Sequence, residues 1–414
     1  MKVLVISPTF PPTRSGGADF AFRQCELLAA RGVDLHVITS VCEEVARSDR
    51  FAVSAVVRRW SWRDLGRILS IARAFKPDAV LIHFAGAIYE HHLMITVLPS
   101  LLKRWLRIPR LVLHVEHPQA IDSRPQTRLG RAADKVVGLY QRWWNIDPGY
   151  GSLLGESDVV FALCEPHRAV LQQHEPDIAR KCVVIGPPPS VTFFADSRND
   201  ARALGRAELG ISSAALLLVY YGYLSHGKGV ETLLDAFQEV VEANGEARLL
   251  ILGGPNELLL PGEEARRYLG TLKQRADALG IAESVIWTGY FPNQSDRPSL
   301  FLYAADICVL PFDGGVLMHR STLGVAAAHG LPIVTTRGEE RESVFVDGAN
   351  LLLCPPRNAS ALAATINRLI SDRPLQEQLR RGAKQLADQH FSWERCIEQT
   401  LEALAGSPKI NRAS

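Results

Sequence analysis

The sequence predicts an α/β protein made of two Rossmann-like, doubly wound domains that face each other across a cleft. Short apolar runs typical of buried strands alternate with segments of helical period over almost the whole chain. The alternation occurs in two consecutive series, and glycine-rich loops follow several of the strands. Strands that alternate with helices form parallel sheets covered by helices. A chain of 414 residues exceeds what one hydrophobic core usually organises, so each series should form its own domain.

Composition excludes several classes of protein. The formal net charge is +2, which gives no basic footprint for nucleic acid. Seven cysteines are scattered without a Cys-x-x-Cys pair, so we expect buried thiols in a reducing compartment rather than a zinc site or redox pair. No apolar run reaches the roughly 20 residues of a transmembrane helix, and the N-terminus is typical of a strand, not of a signal peptide. We therefore expect a cytoplasmic protein.

The first series begins with a strand at residues 3–7, a loop that ends in Gly16 and Gly17, and a helix closed by Gly32. This loop is not a GxGxxG fingerprint, so a dinucleotide site is not predicted. Two glycines at a helix start let the backbone approach a phosphate, but a plain turn explains them equally well. Further strands are predicted at residues 35–39, 79–84, 111–115, 158–163 and 183–185.

Polar residues follow or end three of these strands: His83, then His114, Glu116 and His117, then Cys164 and Glu165. The carboxyl ends of parallel strands lie at one edge of a sheet, where ligands bind. We therefore expect these side chains to line a cleft.

The second series follows a polar stretch that we predict to be a linker at residues 196–212. The domains should then span residues 1–195 and 213–388, with a C-terminal helix at 389–414 that returns to the first domain. Strands are predicted at residues 216–221, 248–252, 285–288, 306–310, 333–336 and 351–353. Helices are predicted at residues 230–242, 319–329, 360–370, 375–390 and 393–404.

Four strand-end glycine loops in this second series predict a nucleotide site. They contain Gly222 with residues 227–229, Gly253 with Gly254, Gly289, and Gly314 with Gly315. Lys228 stands between two glycines, where a mobile cation beside free amides suits a phosphate. The GxxxxGK[ST] spacing is absent, so a P-loop NTPase is not predicted.

Residues 306–338 have the order strand, glycine loop, helix and strand of a βαβ unit. The loop and the helix start offer backbone amides, the positive end of the helix dipole, and the side chains of His319, Arg320, Ser321 and Thr322. This combination predicts a site for an anion, most simply a phosphate.

Together these segments resemble the retaining GT-B glycosyltransferases of family 4. The motifs that are similar, and that occur in the family's order, are ISPTFPPTRSGGADFAF, YYGYLSHGKGVETLLDAF, LLILGGP, VIWTGYF, the 306–338 stretch and FSWE. The resemblance implies transfer of a sugar, with retained anomeric configuration, from a nucleoside-diphosphate sugar to a polysaccharide, glycolipid or lipid-linked acceptor. It also implies that Lys228 binds phosphate.

The resemblance breaks at two glutamates, eight residues apart, that many family members carry around the helix of the 306–338 stretch. Leu317 and Val325 occupy those positions, so the carboxylates that touch donor sugar and ribose are missing. The segment instead resembles a variant branch whose loop reads Pro-Phe-x-Asp-Gly, then small and basic residues, then Thr-Leu. In the lysine loop, Tyr223 stands where an arginine often does, and His226 occupies part of the loop.

The resemblance also implies roles for individual residues. Lys228, the amides of Gly16 and Gly17, and the 314–322 segment would stabilise the leaving diphosphate. No DxD-like acidic pair is evident, so we expect no metal cofactor. Tyr290 or Phe291 would pack near the base. The predicted donor-binding residues are Gly16, Gly17, Gly222, Lys228, Gly253, Gly254, Tyr290, Phe291, Asp313, Gly314, Gly315, Arg320, Ser321, Thr322 and Glu342.

Several of these roles have two interpretations. Asp313 either holds a hydroxyl of the donor sugar or caps the next helix. Glu342 either meets the ribose or is a solvated member of a charge run. His117 is expected to be catalytic, near acceptor and donor sugar, rather than a core histidine, and His83 and Glu116 are acceptor-side candidates.

Three alternatives remain at this point. Residues 101–105 and 142–144 are basic and aromatic, and they either dock peripherally on an anionic membrane or belong to partly buried helices with a solvated charged side. The fold would also suit a nucleotide-sugar epimerase. With Leu317 and Val325 in place of acids, the chain could instead be a degenerate subunit that binds a nucleotide or stabilises an active partner.

Overall fold

The computed structural model of the chain describes residues 1–42, 44–46, 48–121, 132, 135–136, 138–139, 147, 149–195, 197–291 and 295–406. These residues form two compact units. The first contains Met1–Thr13, Gly17–Ile185 and the described residues from Trp393 onward. The second contains Arg14–Gly16 and Gly186–Ser392.

The first unit is built on a parallel sheet of seven strands in the order β3-β2-β1-β4-β5-β6-β7. The strands are β1 Lys2–Ile6, β2 Asp34–Ser40, β3 Ala52–Val57, β4 Ala79–Phe84, β5 Arg110–Val115, β6 Val159–Ala162 and β7 Cys182–Val184. Helices of this unit are α1 Gly16–Ala30, α2 Trp62–Phe75, α3 Met94–Ser100, α4 Ser152–Glu156 and α5 Glu165–His174, with shorter helical turns at Gly86–Tyr89, Leu101–Trp105 and Pro176–Arg180.

Both faces of this sheet are buried. Leu4 and Ile6 of β1 belong to one apolar cluster, and Val3 and Val5 belong to another. Successive side chains of a strand point to opposite faces, so a strand covered on both sides must be apolar throughout. This explains why β1 appears in the sequence as a continuous apolar run.

The second unit is built on a parallel sheet of six strands in the order β10-β9-β8-β11-β12-β13. The strands are β8 Leu217–Tyr221, β9 Arg248–Leu252, β10 Val285–Trp287, β11 Ile307–Leu310, β12 Ile333–Thr336 and β13 Leu352–Cys354. The helices are α6 Arg198–Glu208, α7 Val230–Ala243, α8 Glu263–Ala278, α9 Arg297–Ala304, α10 Ser321–Ala328, α11 Ala359–Ser371 and α12 Arg373–His390, with a short turn at Ala282–Ser284. The predicted fold class, two doubly wound parallel α/β units, is confirmed.

The predicted linker at residues 196–212 is wrong, because most of it forms α6. Ser197 accepts a hydrogen bond from the Asp200 amide and caps the helix, and α6 packs against α9. Arg206 is buried, and its guanidinium donates to Asp306 Oδ2 at 2.7 Å. Arg202 donates to the other oxygen of Asp306 at 2.6 Å. The helix looked like a linker because its inner face is anchored by charged rather than apolar side chains.

The boundaries between the units also differ from the predicted ones. Gly186 already belongs to the second unit, since a side chain there would lie 2.8 Å from the carbonyl oxygen of His390 and 3.0 Å from Phe391. The last helix, α13 Trp393–Ala405, belongs to the first unit and packs on β4 and β5. Trp393 stacks on Phe20 with ring centroids 5.3 Å apart.

The strand orders fix where each unit can bind a ligand. In the first sheet the order reverses between β1 and β4, and in the second it reverses between β8 and β11. At such a switch point the loops that leave neighbouring strands diverge to opposite faces, which opens a crevice at the carboxyl ends. In the second unit these loops are residues 222–229 after β8 and residues 311–320 after β11.

None of the helices in the described part of the chain is long and apolar enough to span a membrane.

Candidate functional site

The two switch-point loops of the second unit touch each other directly. The Asp313 amide donates to the Gly227 carbonyl at 3.1 Å. Gly229 has a φ of 70°, and a side chain there would overlap the Pro311 carbonyl oxygen. Glycine is therefore required at 229 for conformation and for space. The contact places Lys228 beside the start of the β11–α10 loop.

Two cations of this pair of loops approach the same aromatic ring. The Lys228 ammonium lies 5.5 Å from the ring centroid of Phe312, and the Arg320 guanidinium carbon lies 4.8 Å from it. Phe312 is buried, whereas the two cations are partly buried. Burial, and secondly the charge of Arg320, lowers the pKa of Lys228 from 10.5 to about 8. Both influences disfavour the charged ammonium form of Lys228. An anionic ligand bound in this pocket would stabilise that form.

The first turn of α10 completes this pocket. The helix begins at Ser321, two residues after the predicted start, and its first turn contains no acidic residue. Thr322 Oγ1 is buried and makes no hydrogen bond with the described residues. A side chain at Gly222 would lie 2.7 Å from Thr322 Cγ2, so Gly222 lets the β8 loop reach the helix start. Unused amides and the positive end of the dipole here favour an anion.

The structure excludes one of the two interpretations considered for Asp313 and one of the two considered for Glu342. Asp313 does not cap α10, whose N-cap is Arg320; its carboxylate lies 3.4 Å from the Arg357 guanidinium. Glu342 is buried, so its interpretation as a solvated charge is wrong. It accepts a hydrogen bond from the Met318 amide at 2.6 Å, and it thereby holds the loop that leads into α10.

The other predicted donor-side residues lie at the ends of β9, β10 and β11. A side chain at Gly253 would overlap the Gly222 carbonyl oxygen, so the β8 and β9 loops also pack closely. Gly254 lies against the Tyr290 ring, where an added Cβ would be 2.9 Å from the ring atoms. Phe291 packs edge-on against Phe301 at 5.8 Å. Of the two glycines after β11, Gly314 is exposed and Gly315 packs against Gly338.

In the first unit, Gly17 is a glycine for a reason that sequence reasoning did not find. A side chain at Gly17 would overlap the carboxylate of Glu116. Gly16 and Gly17 begin α1, so their amides are among those that the helix leaves unbonded. A carboxylate already lies beside them, however. The need for glycine at 17 is therefore explained by Glu116 and gives no support for a phosphate there.

The prediction that His83 and His114 line a cleft is wrong, because both lie inside their strands and are buried. They are register partners on β4 and β5, and their rings stack at 5.3 Å. His83 Nδ1 lies 3.5 Å from Glu116 Oε1. Burial, and then the charge of His83, holds the pKa of His114 well below its usual range. Of the two acceptor-side candidates, only Glu116 reaches the surface, with its side chain 17% exposed.

His117 follows β5 and is exposed, so it is not a core histidine. Its Nδ1 accepts a hydrogen bond from the Gln119 amide at 3.3 Å, and its ring lies 5.7 Å from that of His167. The side chain is therefore oriented by its own loop.

The basic and aromatic segment Leu101–Trp105 is largely neutralised within the first unit. Lys103 donates to Asp158 at 2.7 Å, and Arg104 pairs with Glu156 at 2.7 Å. Trp105 is 58% exposed. The second segment, residues 142–144, lies outside the described residues.

Two parallel α/β units, with a cationic pair of glycine loops at the switch point of the second, are the architecture of the GT-B glycosyltransferase class. Residues 202–386 match the family model of glycosyl transferases group 1. The chain is similar over its full length to the crystal structure of HepE from Anabaena in complex with UDP and glucose, with a TM-score of 0.70, 16% identity, and coverage of 98% of this chain and 100% of that one.

The alignments with curated relatives cover smaller parts of both chains. A D-inositol 3-phosphate glycosyltransferase of Corynebacterium urealyticum is 24% identical over 62% of this chain and 59% of that protein. The lipopolysaccharide 1,2-N-acetylglucosaminetransferase of Salmonella typhimurium is 25% identical over 48% of this chain and 50% of that protein. The chain thus spans only 50% to 59% of the length of these two relatives. The chain therefore has the GT-B fold, and its second unit matches the glycosyl transferases group 1 family model.

Sequence reasoning missed Phe312 as a member of the site. It treated the Pro-Phe pair before Asp313 as part of a loop pattern, although an aromatic residue at a strand end between glycine loops is a usable signal. The position of Arg320 on that same ring could not be read from the chain, since Lys228 and Arg320 are distant in sequence.

Proposed function

We propose that the chain transfers a sugar from a nucleoside-diphosphate sugar to a hydroxyl group of a saccharide, glycolipid or lipid-linked acceptor, with retained anomeric configuration. The observation that carries this proposal is Lys228, which lies in the glycine loop after β8 at the switch point, 5.5 Å from the Phe312 ring of the loop that leads into α10. A diphosphate is the anion that such a pocket would take in a GT-B protein.

In this reaction the bond between the anomeric carbon and the β-phosphate oxygen breaks, and a bond from the acceptor oxygen forms on the same face. The proton of the acceptor hydroxyl passes to the departing diphosphate. The difficult part is the negative charge that develops on the leaving group, which preorganised cations and amides stabilise. Lys228 and the first amides of α10 supply these groups. We therefore propose that the reaction needs no metal cofactor.

His117 is proposed to act beside the reacting sugar, because it is an exposed and oriented imidazole at the end of β5. Glu116 is proposed to accept a hydrogen bond from an acceptor hydroxyl. Relatives that act on inositol phosphate and on lipopolysaccharide make soluble polyols and cell-surface saccharides the acceptor classes to test. Peripheral membrane contact is part of the same proposal, for which exposed Trp105 is the candidate anchor.

The experiment is a thermal-shift panel with UDP, GDP, ADP and dTDP and their sugar conjugates, with and without EDTA. A nucleotide at about 100 times its dissociation constant should stabilise the protein by about 2.7 kcal/mol. UDP and UDP-hexoses are tested first, since the HepE complex contains UDP and glucose. Lys228→Ala should abolish the shift, whereas Lys384→Ala, an exposed lysine on α12, should retain it.

A second function is favoured by one observation. Leu317 and Val325, which stand where the family that the sequence resembles often has two glutamates, are both buried apolar side chains. A nucleotide-binding subunit without transferase activity would tolerate this loss. Slow release of free sugar from the donor supports a transferase, an epimeric sugar supports an epimerase, and nucleotide binding without turnover across an acceptor panel supports the subunit.

A further inference from the structure

A carboxylate and an imidazole face each other at the carboxyl edge of the first sheet. Glu116 follows β5, and its Oε1 atom lies 3.5 Å from Nδ1 of His83, a residue of β4. Oε1 is buried and has no hydrogen-bond partner among the described residues. A buried carboxylate oxygen is costly unless a donor or a positive charge compensates it. His83 is the neighbouring group that can compensate this oxygen.

A second polar group near Glu116 is already used. Tyr89 is buried, and burial, followed by the charge of Glu116, raises its pKa. Its hydroxyl proton, however, is donated to the His83 carbonyl oxygen at 2.9 Å. An ionised carboxylate only accepts hydrogen bonds, whereas a neutral imidazole has one N–H group and one bare nitrogen. The tautomer of His83 that suits the contact with Glu116 therefore carries its proton on Nδ1.

His114 does not compete for the carboxylate. Its ring stacks on that of His83, with centroids 5.3 Å apart and an interplanar angle of 17°. Phe20 of α1 and Phe161 of β6 also contact His114, at 4.7 and 6.1 Å between ring centroids. Burial, and then the charge of His83, lowers the pKa of His114, so this ring is neutral. It therefore serves as a stacking surface that fixes the plane of the His83 ring.

The two oxygens of Glu116 have different surroundings. Oε1 faces His83 in the interior, whereas Oε2 lies where a side chain at Gly17 would stand, at the start of α1. The side chain of Glu116 remains 17% exposed. A carboxylate that is held by its inner oxygen can offer its outer oxygen to a ligand hydroxyl without first being ordered by that ligand.

We infer that His83 is a positioning residue, whose Nδ1–H group holds the inner oxygen of Glu116 so that the outer oxygen is fixed to accept a hydrogen bond from the acceptor. The identification of the ligand as an acceptor hydroxyl rests on the proposed function. The tautomer of His83 does not, since it follows from contacts within the first unit. His83 is fully buried, so it acts through Glu116 and does not touch the ligand itself.

The first test is nitrogen-15 nuclear magnetic resonance of the histidine side chains of the full chain at neutral pH, with the His83 signals assigned from their loss in His83→Asn. We expect the ring proton of His83 on Nδ1 in the wild type. In Glu116→Ala this preference for Nδ1 should be lost, because the acceptor that selects it is gone. A bare Nδ1 in the wild type, or an unchanged tautomer in Glu116→Ala, would overturn the inference.

The second test compares acceptor use by two variants of His83, with D-inositol 3-phosphate and lipopolysaccharide as the acceptors. Phenylalanine fills the volume of the ring without a donor, whereas asparagine keeps an N–H group near the position of Nδ1. His83→Phe should raise the KM for the acceptor about 10-fold, as expected for loss of a hydrogen bond to a charged group, and leave nucleotide affinity unchanged. His83→Asn should retain most of the acceptor affinity.

The control is His36→Asn, a partly buried histidine of β2 that bonds Ser54 at 2.8 Å, which should keep the wild-type KM and the His83 signal. A His83→Phe variant that is folded by circular dichroism and has the wild-type KM would overturn the positioning role. So would equal losses in His83→Phe and His83→Asn, which a role in packing alone predicts. If the wild type transfers sugar to neither acceptor, the proposed function fails for these acceptors, and the His83 tautomer decides the inference by itself.

Discussion

Replacing Lys228 by methionine should make the protein more stable while it removes nucleotide binding at the proposed site. The folded environment lowers the pKa of Lys228 from 10.5 to about 8, and each pKa unit corresponds to about 1.4 kcal/mol. The full shift corresponds to about 3 kcal/mol at neutral pH, of which solvent screening of this partly exposed cation leaves about 1–2 kcal/mol. Methionine keeps a straight apolar chain beside Phe312 and has no charge to desolvate.

The sign of the pH dependence follows from linkage. Between pH 8 and 10.5 the unfolded chain binds more protons at this position than the folded chain, so the wild-type stability rises through this window. The advantage of Lys228→Met should therefore be complete below about pH 8 and absent above about pH 10.5. Urea unfolding of both proteins at the two ends of this window measures the difference.

The matched control is Lys384→Met. Lys384 is exposed and pairs with Asp388 one helical turn away, and such surface pairs contribute about 0.5 kcal/mol or less. This variant should be neutral or slightly destabilised at both pH values, and it should keep nucleotide binding. A Lys228→Met protein that is less stable than wild type at pH 7 would refute this reasoning. A stability gain that persists above pH 10.5 would also refute it, because burial of the charged form of Lys228 would then not be what destabilises the wild type.

Three further sets of substitutions probe close contacts of the loops. Gly229→Ala should lower the free energy of unfolding in urea more than Gly227→Ala does. Both glycines have a positive φ, which costs an alanine about 1 kcal/mol. Only at position 229 would the added side chain also overlap a carbonyl oxygen. Equal effects would contradict this. Gly17→Ala should lower the melting temperature, and Glu116→Ala should relieve that loss in the double variant because the overlap is with its carboxylate; additive losses would be the contrary result. Glu342→Ala should lower the free energy of unfolding by about 1–3 kcal/mol, because it leaves the buried Met318 amide unpaired, and it should weaken nucleotide binding. Glu342→Gln, whose side chain can still accept this hydrogen bond, should lose less stability. An equal loss of stability in both variants would contradict this account.

Local sequence pattern was enough to predict the buried strands of both sheets and to single out Lys228 as a candidate site residue. Strands buried on both faces are nearly continuous apolar runs, so β1, β4, β5, β8 and β9 could all be predicted, although β4 and β5 each include one buried histidine. Glycines at the strand ends marked where backbones approach one another, and Lys228 between two of them marked the proposed anion site.

Sequence pattern did not predict the helix whose inner face is anchored by charged rather than apolar side chains. The face of α6 that Arg202 and Arg206 anchor on Asp306 has the composition of a linker, because its stability depends on partners about 100 residues away. The edge strand β3 was not predicted either: Ser54 interrupts its run of Ala and Val, and most of its residues are only partly buried.

The sequence by itself determined the class of fold, the order of its loops and the cation at Lys228, because these depend on short-range periodicity and on glycine. Only the tertiary structure decided that Arg320 shares the Phe312 ring with Lys228, that Glu116 fills the space beside Gly17, and that Glu342 holds a loop rather than facing solvent. Each of these is a contact between segments that the strand order brings together. Such contacts depend on the topology of the sheet, which no local pattern encodes.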